Sequence, residues 1–209
     1  MECLPIGIEP VCPAPAAVEE VRKRYPGKKI IFSIGRLVAY KGYKYLIESA
    51  HYLDDDYVIL IGGSGAMKYD LEAEIETWGV QDKAMLLGRI SDKELSAYYG
   101  ACTLFCLSSV QKTEAFGIVQ IEAMSCGKPV VATNIPHSGV SWVNAHGFSG
   151  LNVTPCSAKE LAGAIMTITR NDDLYQKLAK GARERYQETF TKEKMIDNIL
   201  EIYRSLWKK

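Results

Sequence analysis

Long hydrophobic runs are missing from this 209-residue chain, and no stretch approaches the roughly 18 apolar residues that a membrane span requires. The opening, Met1-Glu2-Cys3-Leu4-Pro5, holds neither the basic nor the apolar segment of a secretory leader. Charge of one sign is missing too. Lys+Arg and Asp+Glu both number 25, so no net positive charge points to a nucleic acid as partner. Metal-ligand spacing is absent: His51, His137 and His146 share none, and the six cysteines (Cys3, Cys12, Cys102, Cys106, Cys126, Cys156) contain no C-x-x-C pair. Cys102 and Cys106 lie in or beside an apolar run that reads as a strand, where positions four apart stand about 13 Å from each other. That separation excludes a disulfide between them. The cysteines are expected to be free, buried thiols of a reducing cytosol. No internal repeat, low-complexity tract or Gly/Ser linker interrupts the chain.

What remains is the composition of an ordinary globular domain, 47% hydrophobic and 24% charged. A chain of this length hides roughly 70% of its unfolded surface, enough for a core without staples. Short apolar, β-branched runs at 29–35, 57–62, 84–88, 103–107, 129–133 and 150–153 read as strands covered on both faces. Helical patterns lie between them at about 41–52, 66–78, 91–101, 117–125 and 157–170. Ser91 and Asp92 precede one helix, and Ser157 with Glu160 three places on signals another start. Repeated β-α units predict an α/β fold, a Rossmann-like doubly wound parallel sheet of about six strands. Two C-terminal helices follow after a break at Asn171-Asp172-Asp173, the last opening near Phe190-Thr191 and running to Trp207. The proline-rich opening reads as the tail of an interdomain connector. Residues 1–15 are therefore assigned to a connector remnant, 16–190 to the ligand-binding domain and 191–209 to the C-terminal helix.

Ligands of such sheets bind at the carboxyl ends of the strands, so the loops there carry the functional information. The first, Gly35-Arg36-Leu37-Val38-Ala39-Tyr40-Lys41-Gly42, sets two cations around a glycine-bounded turn at a helix start, a place to hold a diphosphate. In isolation a solvated loop with two incidental bases is the better explanation. The second, Gly62-Gly63-Ser64-Gly65, lets backbone approach a ligand closely, but Lys68 stands where the dinucleotide fingerprint needs its third glycine. The third, Gly88-Arg89-Ile90, says little by itself. The fourth leads into Glu114-Ala115-Phe116-Gly117-Ile118-Val119-Gln120-Ile121-Glu122-Ala123-Met124. Two carboxylates stand eight apart, one before a helix and one a turn inside it. Between them, first-turn amides lack helical partners and must find acceptors. An amphipathic helix with a charged face is the plain alternative, but Glu122 sits among apolar neighbours where a helix on a sheet is normally apolar. Asp54-Asp55-Asp56 suggests a D-x-D metal site, yet it precedes a strand, on the edge opposite these loops, and reads as a solvated turn.

The E-x7-E arrangement, followed by Ser125-Cys126-Gly127-Lys128-Pro129-Val130-Val131-Ala132, resembles the family-4 retaining glycosyltransferases of GT-B fold. Gly35-Arg36-Leu37 through Lys41-Gly42 resembles their phosphate loop, and Gly63-Ser64-Gly65 their glycine turn. The resemblance runs in order from about residue 4 to residue 209, and it implies the donor-binding, C-terminal half of such an enzyme. By that similarity Arg36 and Lys41 grip the diphosphate of a UDP-, GDP- or ADP-sugar, and Glu114 meets the transferred sugar. These three form the catalytic set. Gly35, Gly63, and the amides from Phe116 through Gly117 and Ile118 to Val119 lie near sugar and phosphate. Backbone near Arg89 and Ile90 reads the base, and Glu122 accepts the ribose hydroxyls. No metal and no further cofactor is implied, and the missing partner is an N-terminal acceptor-binding domain.

Departures are Ala66 and Ser108 where proline is common, and the longer loop Val110-Gln111-Lys112-Thr113, which bears on sugar selection. The segment Ser138-Gly139-Val140-Ser141-Trp142-Val143-Asn144 resembles bacterial transferases of surface-polysaccharide assembly. It implies a cytoplasmic enzyme, with any peripheral membrane contact made through the absent half. Other GT-B enzymes, such as an epimerase or a phosphorylase, are disfavoured by the cationic loop combined with E-x7-E. A non-catalytic nucleotide-sugar-binding module is the alternative from another class.

Overall fold

A computed structural model describes residues 4–207. Six parallel strands, β1 (Lys29–Ile34), β2 (Tyr57–Gly62), β3 (Ala84–Gly88), β4 (Leu104–Leu107), β5 (Val130–Thr133) and β6 (Gly150–Val153), form one sheet in the order β3-β2-β1-β4-β5-β6. Register is continuous from Lys29 opposite Tyr57 to Ile34 opposite Gly62. The helices that return the chain between them are α2 (Tyr43–Ser49), α3 (Lys68–Trp78), α4 (Asp92–Ala101), α5 (Ile118–Ser125) and the single turn α6 (Val140–Val143). This is the doubly wound arrangement expected. Its strand order reverses between β1 and β4, where neighbouring loops turn to opposite faces and open a crevice at their carboxyl ends.

Alternation along the strands builds two cores. Ile31, Ile59, Ile61, Leu104 and Val131 face Leu46, Ile47, Leu161, Ile165 and Ile168 on one side. Ile30, Phe32, Val58, Leu60, Phe105 and Val130 face Tyr98, Tyr99, Ile121 and Met124 on the other. Ile59, Leu60 and Ile61 are wholly buried, each side chain contributing about 1.5–3 kcal/mol through burial. A charge at any of them would break one core.

Ser91 caps α4 in a reciprocal box with Glu94, and Ser157 caps α7 (Ala158–Thr169) by accepting from the Glu160 amide. Asn171 accepts from the Leu174 amide and starts α8 (Asp172–Arg185). A helix with no expected counterpart, α1 (Pro15–Arg24), starts with Pro15 at its first position, where the missing amide costs nothing. The last helix, α9 (Lys192–Trp207), begins just after Phe190-Thr191 as expected, and the π-helical turn Tyr186–Phe190 ahead of it continues directly from α8. Ahead of α1 the chain runs beside that turn, and the Ile8 amide donates to Phe190 O.

The thiols differ from expectation as well. Cys102 and Cys106 are buried and Cys126 is half-buried, but Cys12 and Cys156 are exposed, Cys156 in a turn at φ +62°. Cys3 lies outside the described residues. Among those residues, no helix is long and apolar enough to cross a membrane.

Candidate functional site at the strand-order reversal

The crevice is built by the loops after β1, β2 and β4. The first two are zipped together: the Gly35 amide donates to Gly62 O, Leu37 N to Ser64 O, and Met67 N to Leu37 O. Gly63 has φ +130°, and a Cβ there would fall 1.8 Å from Gly35 O, so this approach demands glycine. The third loop is less involved. Arg89 is exposed, and Ile90 is tucked half-buried under Gly62.

The two cations of the first loop have different fates. Arg36 is exposed, and its Nη2 donates to the Tyr40 hydroxyl at 3.3 Å. Lys41 ends a 3-10 turn (Ala39–Lys41), is buried, and sets its Nζ 2.5 Å from Glu114 Oε2. Ser109 donates to the same carboxylate oxygen at 2.9 Å. The loop after β4 is thereby tied to the loop after β1, with Val110 N donating to Tyr40 O and Ser108 Oγ to Lys41 O. On its other flank, Ser138 donates to Glu114 O and Gly139 N to Ala115 O. Glu114 is thus a buried carboxylate held by an ammonium, a hydroxyl and a fixed backbone. Beneath the first loop, Ser33 Oγ and Tyr43 OH are buried with no hydrogen-bond partner among the described residues.

Gly117 follows at φ +73° and opens α5, whose first turn closes when Gln120 N reaches Gly117 O. The Ile118 and Val119 amides precede that bond and have no acceptor among the described residues. Ile118 is exposed, while Val119 and Phe116 are half-buried. Gln120, wholly buried, donates to Phe116 O and Val140 O and so anchors the turn. Glu122 lies one turn further in, half-buried, and its Oε2 accepts from the Tyr99 hydroxyl at 2.5 Å.

Gly35, Arg36, Lys41, Gly63 and Glu114 therefore meet around one crevice, with the first turn of α5 between Glu114 and Glu122. Asp54, Asp55 and Asp56 lie elsewhere, at the amino ends of β1 and β2, paired with Arg170, Lys83 and Lys29. His137 is an exposed loop residue next to Ser138. No three His, Cys, Asp or Glu side chains among the described residues converge as metal ligands.

Several contributors went unnoticed in the sequence. Ser109, Ser138 and Tyr99 act on the glutamates from positions with no local signal. Phe116 packs against Trp142 and Phe190 at ring distances of 6.2 and 6.1 Å. Arg185 lies over both of those partner rings and donates to Val143 O, and burial lowers its pKa.

In a doubly wound sheet the point of strand-order reversal is where ligands bind, and here it carries the Lys41–Glu114 pair and the start of α5. The family model for glycosyl transferases group 1 matches residues 17–185, and the chain belongs to that family. Among curated relatives, D-rhamnosyltransferase WbpZ of Pseudomonas aeruginosa is 28% identical over 86% of this chain and 46% of its own length. The α-D-kanosaminyltransferase of Streptomyces kanamyceticus is 29% identical over 90% and 49%. The chain thus spans about half the length of the curated relatives it matches. Anabaena HepE, solved in complex with UDP, superposes with a TM-score of 0.84 at 25% identity, covering 92% of this chain and 53% of that one.

Proposed function

We propose that this chain is the donor-binding part of a retaining glycosyltransferase and that its crevice holds a nucleoside-diphosphate sugar. One observation carries the reading: Lys41 and Glu114, 73 residues apart, converge in a buried pair four residues ahead of α5, whose Ile118 and Val119 amides have no acceptor among the described residues. Cleaving the anomeric C–O bond leaves negative charge on the diphosphate and positive charge on the sugar ring. Lys41, Arg36 and the start of α5 are fixed positive poles for the leaving group, and fixed poles need no reorganisation as the charge develops. Glu114, at the same end, accepts from hydroxyls of the transferred sugar, while Glu122 takes the ribose. Gly35 and Gly63 keep backbone close to the phosphates, and the strand end at Arg89 and Ile90 borders the base.

With the cationic charge supplied by side chains, the diphosphate needs no metal. UDP is the first nucleotide to test, because HepE was solved with UDP and with UDP-glucose. Relatives named for D-rhamnosyl and O-antigen mannosyl transfer support a role in bacterial surface polysaccharide synthesis. The acceptor and a second domain belong to the remaining half of the enzyme.

Two substitutions test the assignment. Losing one charge-assisted hydrogen bond costs roughly 1.5–3 kcal/mol. Glu122→Gln should weaken free nucleoside diphosphate and nucleotide sugar alike, whereas Glu114→Gln should weaken only the sugar-bearing ligand. Glu114→Gln also breaks the buried pair with Lys41 and should melt lower, so both variants are titrated well below their melting transitions; equal losses for both ligands in both variants would then refute the roles.

A further inference from the structure

We infer that Tyr99 is a positioning residue for the ribose, acting through Glu122: its hydroxyl clamps one carboxylate oxygen and leaves the other for the ligand. The inference rests on the reading of Glu122 as the ribose partner. Tyr99 lies near the end of α4, wholly buried, and its ring packs edge-on against Phe32 at 5.3 Å and tilted against Phe105 at 5.7 Å. That packing leaves the ring little freedom and aims its hydroxyl at Glu122 Oε2, 2.5 Å away. Burial and the adjacent carboxylate push the phenol's pKa well above its ordinary value, so it stays a proton donor throughout the working range.

The other oxygen, Oε1, has no hydrogen-bond partner among the described residues and is not sealed from solvent. A lone glutamate on a helix samples several rotamers, and binding must then select one. Here the selection is made before the ligand arrives. The two lone pairs of Oε1 suffice for two vicinal hydroxyls, which is what a ribose edge presents.

The test compares the tightest-held of UDP, GDP and ADP with its 2′,3′-dideoxy counterpart, by calorimetry on the full chain. Wild type should prefer the ribose form by roughly ten-fold or more, the value of a charge-assisted hydrogen bond. Tyr99→Phe removes one oxygen and keeps the ring. It should cut that preference to about three-fold or less, with the dideoxy affinity unchanged. A merely structural tyrosine would weaken both ligands together, and that outcome overturns the inference, as does a preference that survives in Tyr99→Phe. A wild type without preference overturns the ribose reading of Glu122 and the inference with it. If the single variant is unstable, Tyr99→Phe/Glu122→Gln removes the stranded carboxylate too. It should match Glu122→Gln in preference, and any further loss means that Tyr99 acts independently of Glu122.

Discussion

Removing the charge from Lys41 strands Glu114, and the size of that penalty follows from burial. The two side chains keep only 10% and 11% of their exposure, and Glu114 Oε2 has one other donor, the Ser109 hydroxyl. Breaking a buried pair by deleting one partner typically costs about 3–5 kcal/mol, whereas replacing both by apolar groups is often close to neutral. Lys41→Met is therefore expected to lose about 3 kcal/mol. At roughly 2–4 °C per kcal/mol for a chain of this size, Tm should fall by roughly 6–12 °C. Lys41→Met/Glu114→Leu should recover most of that loss, because no ion is left in the site. Guanidinium denaturation of wild type, both singles and the double gives the coupling energy, expected to exceed about 2 kcal/mol. Losses that add, with coupling below about 0.5 kcal/mol, would show that the two side chains do not form the pair described.

Two further outcomes are expected. Gly63→Ala must separate the first two loops, since its Cβ would lie 1.8 Å from Gly35 O, so it should lower stability by more than about 1 kcal/mol; an unchanged denaturation midpoint would contradict the zipped loops. In thiol labelling of the native chain at pH 8, exposed Cys12 and Cys156 should react while Cys102 and Cys106 should not. Burial pushes the last two up to about 12, so they stay protonated at pH 8, and mass spectrometry of the peptides reads the difference.

The strands were legible because both faces of a parallel sheet are covered, which turns each strand into an unbroken apolar run. The runs 57–62, 84–88 and 150–153 match β2, β3 and β6 residue for residue. The loops were legible in order for the same reason, since strand ends locate them. Partnerships were not. Lys41 and Glu114 read as two separate charges, and only the reversal of strand order brings their loops together. Tyr99 meets Glu122 across 23 residues through a side chain on another helix, and no periodicity marks such a contact. Helix α1 hid behind Pro13 and Pro15, which read as connector although Pro15 is a favourable helix start. The exposed thiols were missed because apolar surroundings in sequence do not report whether a turn faces water, as at Cys156.

The central claim, that side chains and a helix start alone hold a nucleoside diphosphate in this crevice, is tested most directly by calorimetric titration of the 209-residue chain with UDP, GDP and ADP in the presence of EDTA. The account predicts saturable binding of at least one of them, weakened in Lys41→Met and unchanged when Mg²⁺ or Mn²⁺ replaces EDTA. Binding that appears only with a divalent ion, or no binding of any of the three under either condition, would contradict it.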